Sequence, residues 1–305
     1  MTAARAIVNP SSGRERASEH LDLLHARLSE HFSPLDIVLT EGEGDAWRAA
    51  SAAVVEGCRQ LFVAGGDGTL NEALNGVIDA GGLEATTFGV VPLGTGNDFA
   101  AALDIPVEID LALDVLTRGR AVAVDVGEVN GRGFVNISGG GFIAEVSQAV
   151  SPQLKTVAGR LAYLLGGAQA LLEYEPARAT VALEPGGQRV GLGLHAFAVC
   201  NSRLIGGGRL IAPDAFIDDG LLDVCLIEAM STLEFVTLVR KVAAGDHVGD
   251  ARVRYYRASS VAMTFDREIA INTDGEVLSA TECQYSVRVR AARFLAGDAP
   301  FVSNA

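Results

Sequence analysis

Positive charge is scarce in this sequence. Its 305 residues carry 24 Lys plus Arg against 38 Asp plus Glu, a formal net charge of −14 at pH 7. Bulk attraction to phosphate needs an excess of cations, so this balance argues against a general nucleic-acid binder. Cysteine is sparse as well: Cys58, Cys200, Cys225 and Cys283 stand singly among apolar residues, with no Cys-x-x-Cys and no neighbouring His. That removes the ligand spacing of a zinc site and predicts reduced, buried thiols. Long hydrophobic runs are missing too. The longest nearly apolar stretch, Leu161 to Leu172, contains Gln169 and is bounded by Arg160 and Glu173, short of the roughly 20 residues that span a bilayer. The N-terminus reaches Pro10 before a signal-peptide core can develop, so a cytoplasmic location is expected. His20, His25, His31, His195 and His247 show neither metal spacing nor triad context.

What is present is an ordinary globular composition, 49% hydrophobic and 20% charged, with length for two domains of about 150 residues each. The first third repeats one unit: a short β-branched run, a glycine-containing turn, then a helical pattern. The runs are Ala6 to Val8, Leu35 to Leu39, Leu61 to Val63 and Phe88 to Val91; helices are expected at Ser18 to Phe32, Asp45 to Glu56 and Leu70 to Asp79. Such alternation predicts an α/β domain, a mainly parallel sheet covered by helices. Ligands of such sheets sit at the carboxyl ends of the strands, so the loops after Val8, Leu39, Ala64 and Val91 should converge on one crevice.

After about Arg120 the spacing becomes that of hairpins. Val122 to Val129, a turn over Asn130 to Gly133, and Phe134 to Ser138 form one; Ala179 to Leu183, a turn over Pro185 to Gly187, and Val190 to Val199 form another. Helical patterns at Leu154 to Leu172 and Leu233 to Ala243 interrupt them. The second domain is therefore expected to be mainly antiparallel. Splitting the chain at residue 122 leaves 8 basic and 18 acidic residues before it, net −10, and 16 and 20 after it, net −4. The acid is concentrated in the first part.

The strongest local signal is Gly65-Gly66-Asp67-Gly68-Thr69-Leu70-Asn71-Glu72, directly after an apolar strand and directly before a helix. Glycines let backbone N–H groups approach an anion, and a helix N-terminus adds a positive field. Taken alone, it fits an ordinary tight turn equally well. Two further loops strengthen the signal: Asn9-Pro10-Ser11-Ser12-Gly13 after the first strand and Pro92-Leu93-Gly94-Thr95-Gly96-Asn97-Asp98 after the fourth. Three such loops on one sheet edge suit a nucleotide cradle. There is no Gly-x-x-x-x-Gly-Lys-Ser/Thr and the nearest lysine is Lys155, so phosphate charge has to be met by backbone dipoles and a metal. Asp67 and Asp98 would repel bare phosphates, which points to a Mg²⁺-nucleotide, although each also suits a helix cap or turn. Downstream, Ile269 to Glu276 places a strand before an Asp274-Gly275 turn that ends in Glu276, the pattern of a hairpin.

Together these segments resemble the diacylglycerol kinase catalytic family and its bacterial soluble lipid kinases, which share the Gly-Gly-Asp-Gly-Thr loop with NAD kinases and 6-phosphofructokinases. The resemblance covers nearly the whole chain. It extends through Asn9-Pro10-x-Ser12-Gly13, Pro92 to Phe99, Ala212-Pro213-Asp214 leading to Asp219-Gly220-Leu221-Leu222-Asp223-Val224, and Asp274-Gly275-Glu276. It implies an NAD-kinase/phosphofructokinase-like nucleotide-binding domain over residues 1–122, joined by a returning segment at about 291–305, and a β-sandwich lipid-substrate domain over 123–290. Asn9, Ser12, Gly13, Thr40, Gly65, Gly66, Asp67, Gly68, Thr69, Leu70, Asn71 and Thr95 are implied at the ATP site. Asp67 and Asp98 would organise Mg²⁺ through water, and Glu276 would be the general base. A second, structural Mg²⁺ or Ca²⁺ is implied at Asp219 with the carbonyls of Phe216 and Leu221, where a hairpin turn fits the sequence equally.

The expectation is a lipid kinase that phosphorylates a hydroxyl, diacylglycerol first, with peripheral membrane contact and a homodimer as further expectations. Arg14, Arg16, Lys155 and Arg160 could rim an apolar mouth or be plain solvated charges. An NAD-kinase-like enzyme with a soluble acceptor and a non-catalytic nucleotide- or lipid-binding module are the alternatives.

Overall fold

The computed structural model of the chain describes residues 3–12, 20–142, 144, 174–298 and 300–303. Strands β1 (Ala4–Val8), β2 (Leu35–Leu39), β3 (Gln60–Gly65) and β4 (Thr87–Pro92) pair in parallel, β1 lying between β2 and β3 and β3 beside β4. β1 and β3 are buried at every residue, as strands covered on both faces are. Around them lie α1 (Leu21–Ser29), α2 (Asp45–Val55), α3 (Asp67–Asp79), α4 (Asp98–Ala102) and α5 (Ile109–Arg118). The inner face of α2 is Ala46, Ala49, Ala50 and Ala53, a stripe at helical spacing whose small side chains let α3 come close. At the crossing a Cβ on Gly76 would stand 2.3 Å from the Trp47 carbonyl.

Two boundaries differ from expectation. α3 begins at Asp67 rather than Leu70, because the acidic side chain complements the helix N-terminus. α5 was not anticipated, although Ile109, Ala112, Leu113 and Leu116 repeat at helical spacing. Ser18, at the expected start of α1, lies outside the described residues, and α1 ends at Ser29 rather than Phe32.

The remaining strands pair antiparallel: β5 (Arg120–Val129), β6 (Arg132–Phe134), β7 (Ile137–Gly141), β8 (Ala177–Glu184) and β9 (Gln188–Cys200), the short β10 (Leu204–Ile205) and β11 (Arg209–Leu210), then β12 (Leu222–Glu228), β13 (Val253–Ala258), β14 (Ser260–Thr273) and β15 (Glu276–Ala296). Helix α6 (Thr232–Ala244) covers one face, started by a Ser231–Glu234 capping box. β9 separates two apolar layers: Leu194, Phe197 and Val199 face one, Ala196, Ala198 and Cys200 the other. Cys200, Cys225 and Cys283 are buried and Cys58 is half-buried, all as free thiols.

β15 joins the halves. It pairs with β14 and β5 along most of its length, and its end, Arg293 and Phe294, pairs in parallel with Thr87 and Phe88 of β4. Phe294 is fully buried, stacked on Phe88 and edge-on to Phe99. The expected strand from Phe134 to Ser138 is broken. β6 pairs with β5 and β7 pairs with β9 and β14, and the N–H groups of Val135, Asn136 and Ile137 turn to the Asp274 carboxylate. The expected 154–172 helix lies outside the described residues. No described helix is long and apolar enough to cross a membrane.

Candidate active site

The loops after β1, β3 and β4 meet at the carboxyl edge of the parallel strands and bound a cleft of about 590 Å³. Its opposite wall comes from the antiparallel half, with Asn136, Gly139, Phe197, Asn272, Asp274 and Gly275. The loops are built to touch. A Cβ on Gly94 would lie 2.5 Å from the Gly66 Cα, so glycine is required for steric reasons. Asn97, in the left-handed region at φ 56°, accepts from the Gly94 N–H at 2.9 Å and donates to the Gly94 carbonyl at 2.8 Å. Asn9 organises the first loop: its Oδ1 accepts from Ser11 N–H and its Nδ2 donates to Thr69 Oγ1, both at 3.0 Å.

Asp67, Glu72, Asp98 and Asp274 line this cleft, and no lysine or arginine is among its described lining residues. Asp67 accepts backbone N–H groups from Asp98 and Phe99, each at 3.2 Å, at the start of α4. Burial pushes its carboxyl above the ordinary range, opposed by those N–H groups and reinforced by Asp98. Asp98 accepts from Gly207 at 3.0 Å and Gly208 at 2.7 Å, which ties the β10–β11 turn to the site. Asp274 accepts three buried N–H groups at 2.7 to 3.0 Å. Burial nevertheless pushes it up to about 6, with Asp67 adding repulsion. A hard divalent cation fits this all-oxygen donor set, which otherwise gathers like charges in a desolvated cleft. Among the described residues no three His, Cys, Asp or Glu side chains converge as a closed metal cage.

Glu276 opens β15 directly after the Asp274-Gly275 turn, whose φ values of 48° and 100° are those of a two-residue hairpin. It follows Gly275, which lines the cleft, but is not itself among the lining residues; its Oε2 accepts from Arg132 Nη2 at 2.6 Å. Glu72, which lines the cleft, feels its charge, and burial raises the Glu72 carboxyl.

The structure brings Asn9, Ser12, Gly66, Asp67, Gly68, Thr69, Thr95 and Asp98 to the cleft lining. Thr40, Gly65, Leu70 and Asn71 are buried behind it. The Thr40 N–H pairs with the Val8 carbonyl, a Cβ on Gly65 would strike Thr69, and Asn71 Nδ2 donates to the Gly133 carbonyl. Gly13, Arg14, Arg16, Lys155 and Arg160 lie outside the described residues. Outside the cleft lining, the Asp219 carboxylate accepts from Leu221 N–H at 3.0 Å and pairs with Arg257, while Phe216 packs under Arg203. The Asp219 carboxylate is thus engaged by a guanidinium through one oxygen and a backbone N–H through the other. Sequence reasoning did not find Arg132, the Gly207–Gly208 cap or a cleft role for Glu72. The last could have been read from the Asn71-Glu72 end of the glycine loop.

A cleft of glycine loops and carboxylates at the edge of a parallel sheet defines a candidate nucleotide site. Residues 3–129 match the diacylglycerol kinase catalytic domain, and residues 136–296 match the YegS C-terminal NAD kinase beta sandwich-like domain. The chain is 35% identical to a diacylglycerol kinase of Bacillus subtilis (strain 168), over 90% of both chains. It is 33% identical to a diacylglycerol kinase of Staphylococcus carnosus (strain TM300), over 90% of this chain and 88% of that one. The crystal structure of a diacylglycerol kinase from Bacillus anthracis str. Sterne superposes with a TM-score of 0.74 at 23% identity, over 98% of both chains. The chain belongs to the diacylglycerol kinase catalytic family.

Proposed function

We propose that this protein transfers the γ-phosphoryl group of Mg²⁺-ATP to a lipid hydroxyl, that of diacylglycerol foremost. The observation that carries the reading is the cleft in which Asp67 and Asp98 face the touching Gly66 and Gly94 loops. N–H groups at the start of α3 meet phosphate oxygens. When bound, Mg²⁺ would supply the neutralisation of phosphate charge that no described lining side chain supplies. Asp67 and Asp98 would hold it through water, and the backbone N–H groups on each fix those carboxylates in turn. Glu276 accepts the hydroxyl proton as the new oxygen–phosphorus bond forms and the bond to the β-phosphate oxygen breaks. Residues 1–122 with 291–305 serve the nucleotide and residues 123–290 the lipid. A water-insoluble acceptor entails peripheral contact with a bilayer.

Purified protein with labelled ATP, Mg²⁺ and mixed micelles tests this directly. Label is expected in phosphatidic acid when diacylglycerol is supplied. Label that moves only into NAD overturns the reading.

A further inference from the structure

The group that fixes Glu276 is on a different part of the chain, 144 residues away. Arg132 opens β6, and its guanidinium meets Glu276 Oε2 at 2.6 Å. The pair is 41% and 34% exposed, and exposed ion pairs add little to stability. The construction around it is much more rigid than a surface pair requires. The next residue, Gly133, is gripped by α3: its N–H donates to Asn75 Oδ1 at 2.8 Å, and its carbonyl accepts from Asn71 Nδ2 and Asn75 Nδ2 at 2.9 Å each, all buried. A Cβ at Gly133 would lie 2.5 Å from Ile78 Cδ1, the mobile end of a side chain on α3, so β6 packs directly against that helix. Two residues further on, Val135, Asn136 and Ile137 are bolted through their N–H groups to Asp274, two positions before Glu276. The short segment 132–137 therefore ties the helix that begins at Asp67 to the turn that carries Glu276.

We propose that Arg132 is a positioning residue for phosphoryl transfer. Resting on the reading of Glu276 as the base, it fixes that carboxylate through Oε2 next to the cleft-lining Gly275 and leaves Oε1 to accept the lipid hydroxyl proton. Geometry set this way is part of catalysis, because a displacement of about 1 Å can cost about 100-fold in rate. α3 supplies the reference frame, since the helix that follows the phosphate loop also sets the position of Arg132.

The test compares Arg132→Ala, Arg132→Lys, Glu276→Gln and Arg288→Ala in the mixed-micelle assay. Arg288 pairs with Glu128 on β5 in another exposed ion pair, outside the site, and serves as the structural control. Arg132→Ala is expected to lower kcat about 10- to 100-fold with KM for ATP within about twofold. Arg132→Lys should keep more activity than Ala, though less than wild type, because a point charge replaces a planar fork. Millimolar guanidinium should restore Arg132→Ala several-fold, and Arg288→Ala should leave kcat unchanged. Glu276→Gln losing at least about 100-fold upholds the base on which the inference rests. Near-normal turnover in Glu276→Gln overturns the base reading itself. If Glu276→Gln is inactive while Arg132→Ala keeps kcat within about twofold, only the positioning role is overturned. A loss in Arg132→Ala that tracks a fallen Tm, with no recovery by lysine or guanidinium, overturns it too.

Discussion

Asp274 does at residue scale what a ladder of hydrogen bonds does elsewhere. Its carboxylate collects the N–H groups of Val135, Asn136 and Ile137, and so replaces strand pairing where β6 ends and β7 begins. The cost is electrostatic. Burial pushes Asp274 from the ordinary 3.8 up to about 6, and the buried Asp67 is raised in the same direction. A carboxyl whose folded pKa lies above its unfolded value keeps its proton longer in the native state, so stability drains away as pH rises through that interval. The Tm advantage of wild type over Asp274→Asn is therefore expected to shrink between about pH 4 and pH 6 and to level off above pH 7. A melting series across that range checks it; an advantage that grows with pH would contradict the raised value. Asp67→Ala should lower kcat at least about 100-fold while the circular dichroism spectrum stays native, because its carboxylate serves charge placement in the cleft more than the core.

At the scale of elements, the site is made by loops that leave no room for side chains. The loops after β3 and β4 touch at Gly66 and Gly94, where the obstructing atoms are backbone and cannot rotate away. Gly94→Ala is expected to cost about 1–3 kcal/mol, the usual penalty of overpacking. It should also weaken ATP binding, because moving either loop moves the N–H groups that face phosphate; thermal melts and an ATP titration read the two effects separately. α6 gives a contrasting case. Its capping box takes no part in the cleft lining, so Ser231→Ala should cost about 1 kcal/mol and leave kcat and KM unchanged. The glycine loops were legible because their chemistry lies within eight consecutive residues. The break between β6 and β7 was not, because the group that causes it lies 137 residues away in sequence.

The whole molecule is joined by β15, which begins at Glu276 directly after the Asp274-Gly275 turn and ends at Ala296, its Arg293 and Phe294 paired with β4 of the parallel half. Phe294 fills the space between Phe88 and Phe99 with no exposed surface. Phe294→Ala should cost about 3–5 kcal/mol. If the strand couples the halves, urea unfolding followed by fluorescence and by circular dichroism should still show coincident transitions for the variant. Two separated transitions would mean that the halves unfold independently. The net charge of −14 is partly explained at this scale. Asp67, Glu72, Asp98 and Asp274 are gathered at one cleft, where like charges oppose folding.

The sequence by itself determined the alternation of strands and helices in the first third, the shift to hairpins after Arg120, the three glycine loops and the Asp274-Gly275 turn. All of these are set by local spacing and by residues whose backbone preferences act within a few positions. Only the tertiary structure decided which of the loop residues face the cleft and which lie behind it, as with Asn71, whose amide is spent on Gly133. It also decided that Arg257 takes Asp219 and Arg132 takes Glu276. A carboxylate is chemically the same wherever it stands in the sequence; its partner depends on which distant strand the fold brings beside it.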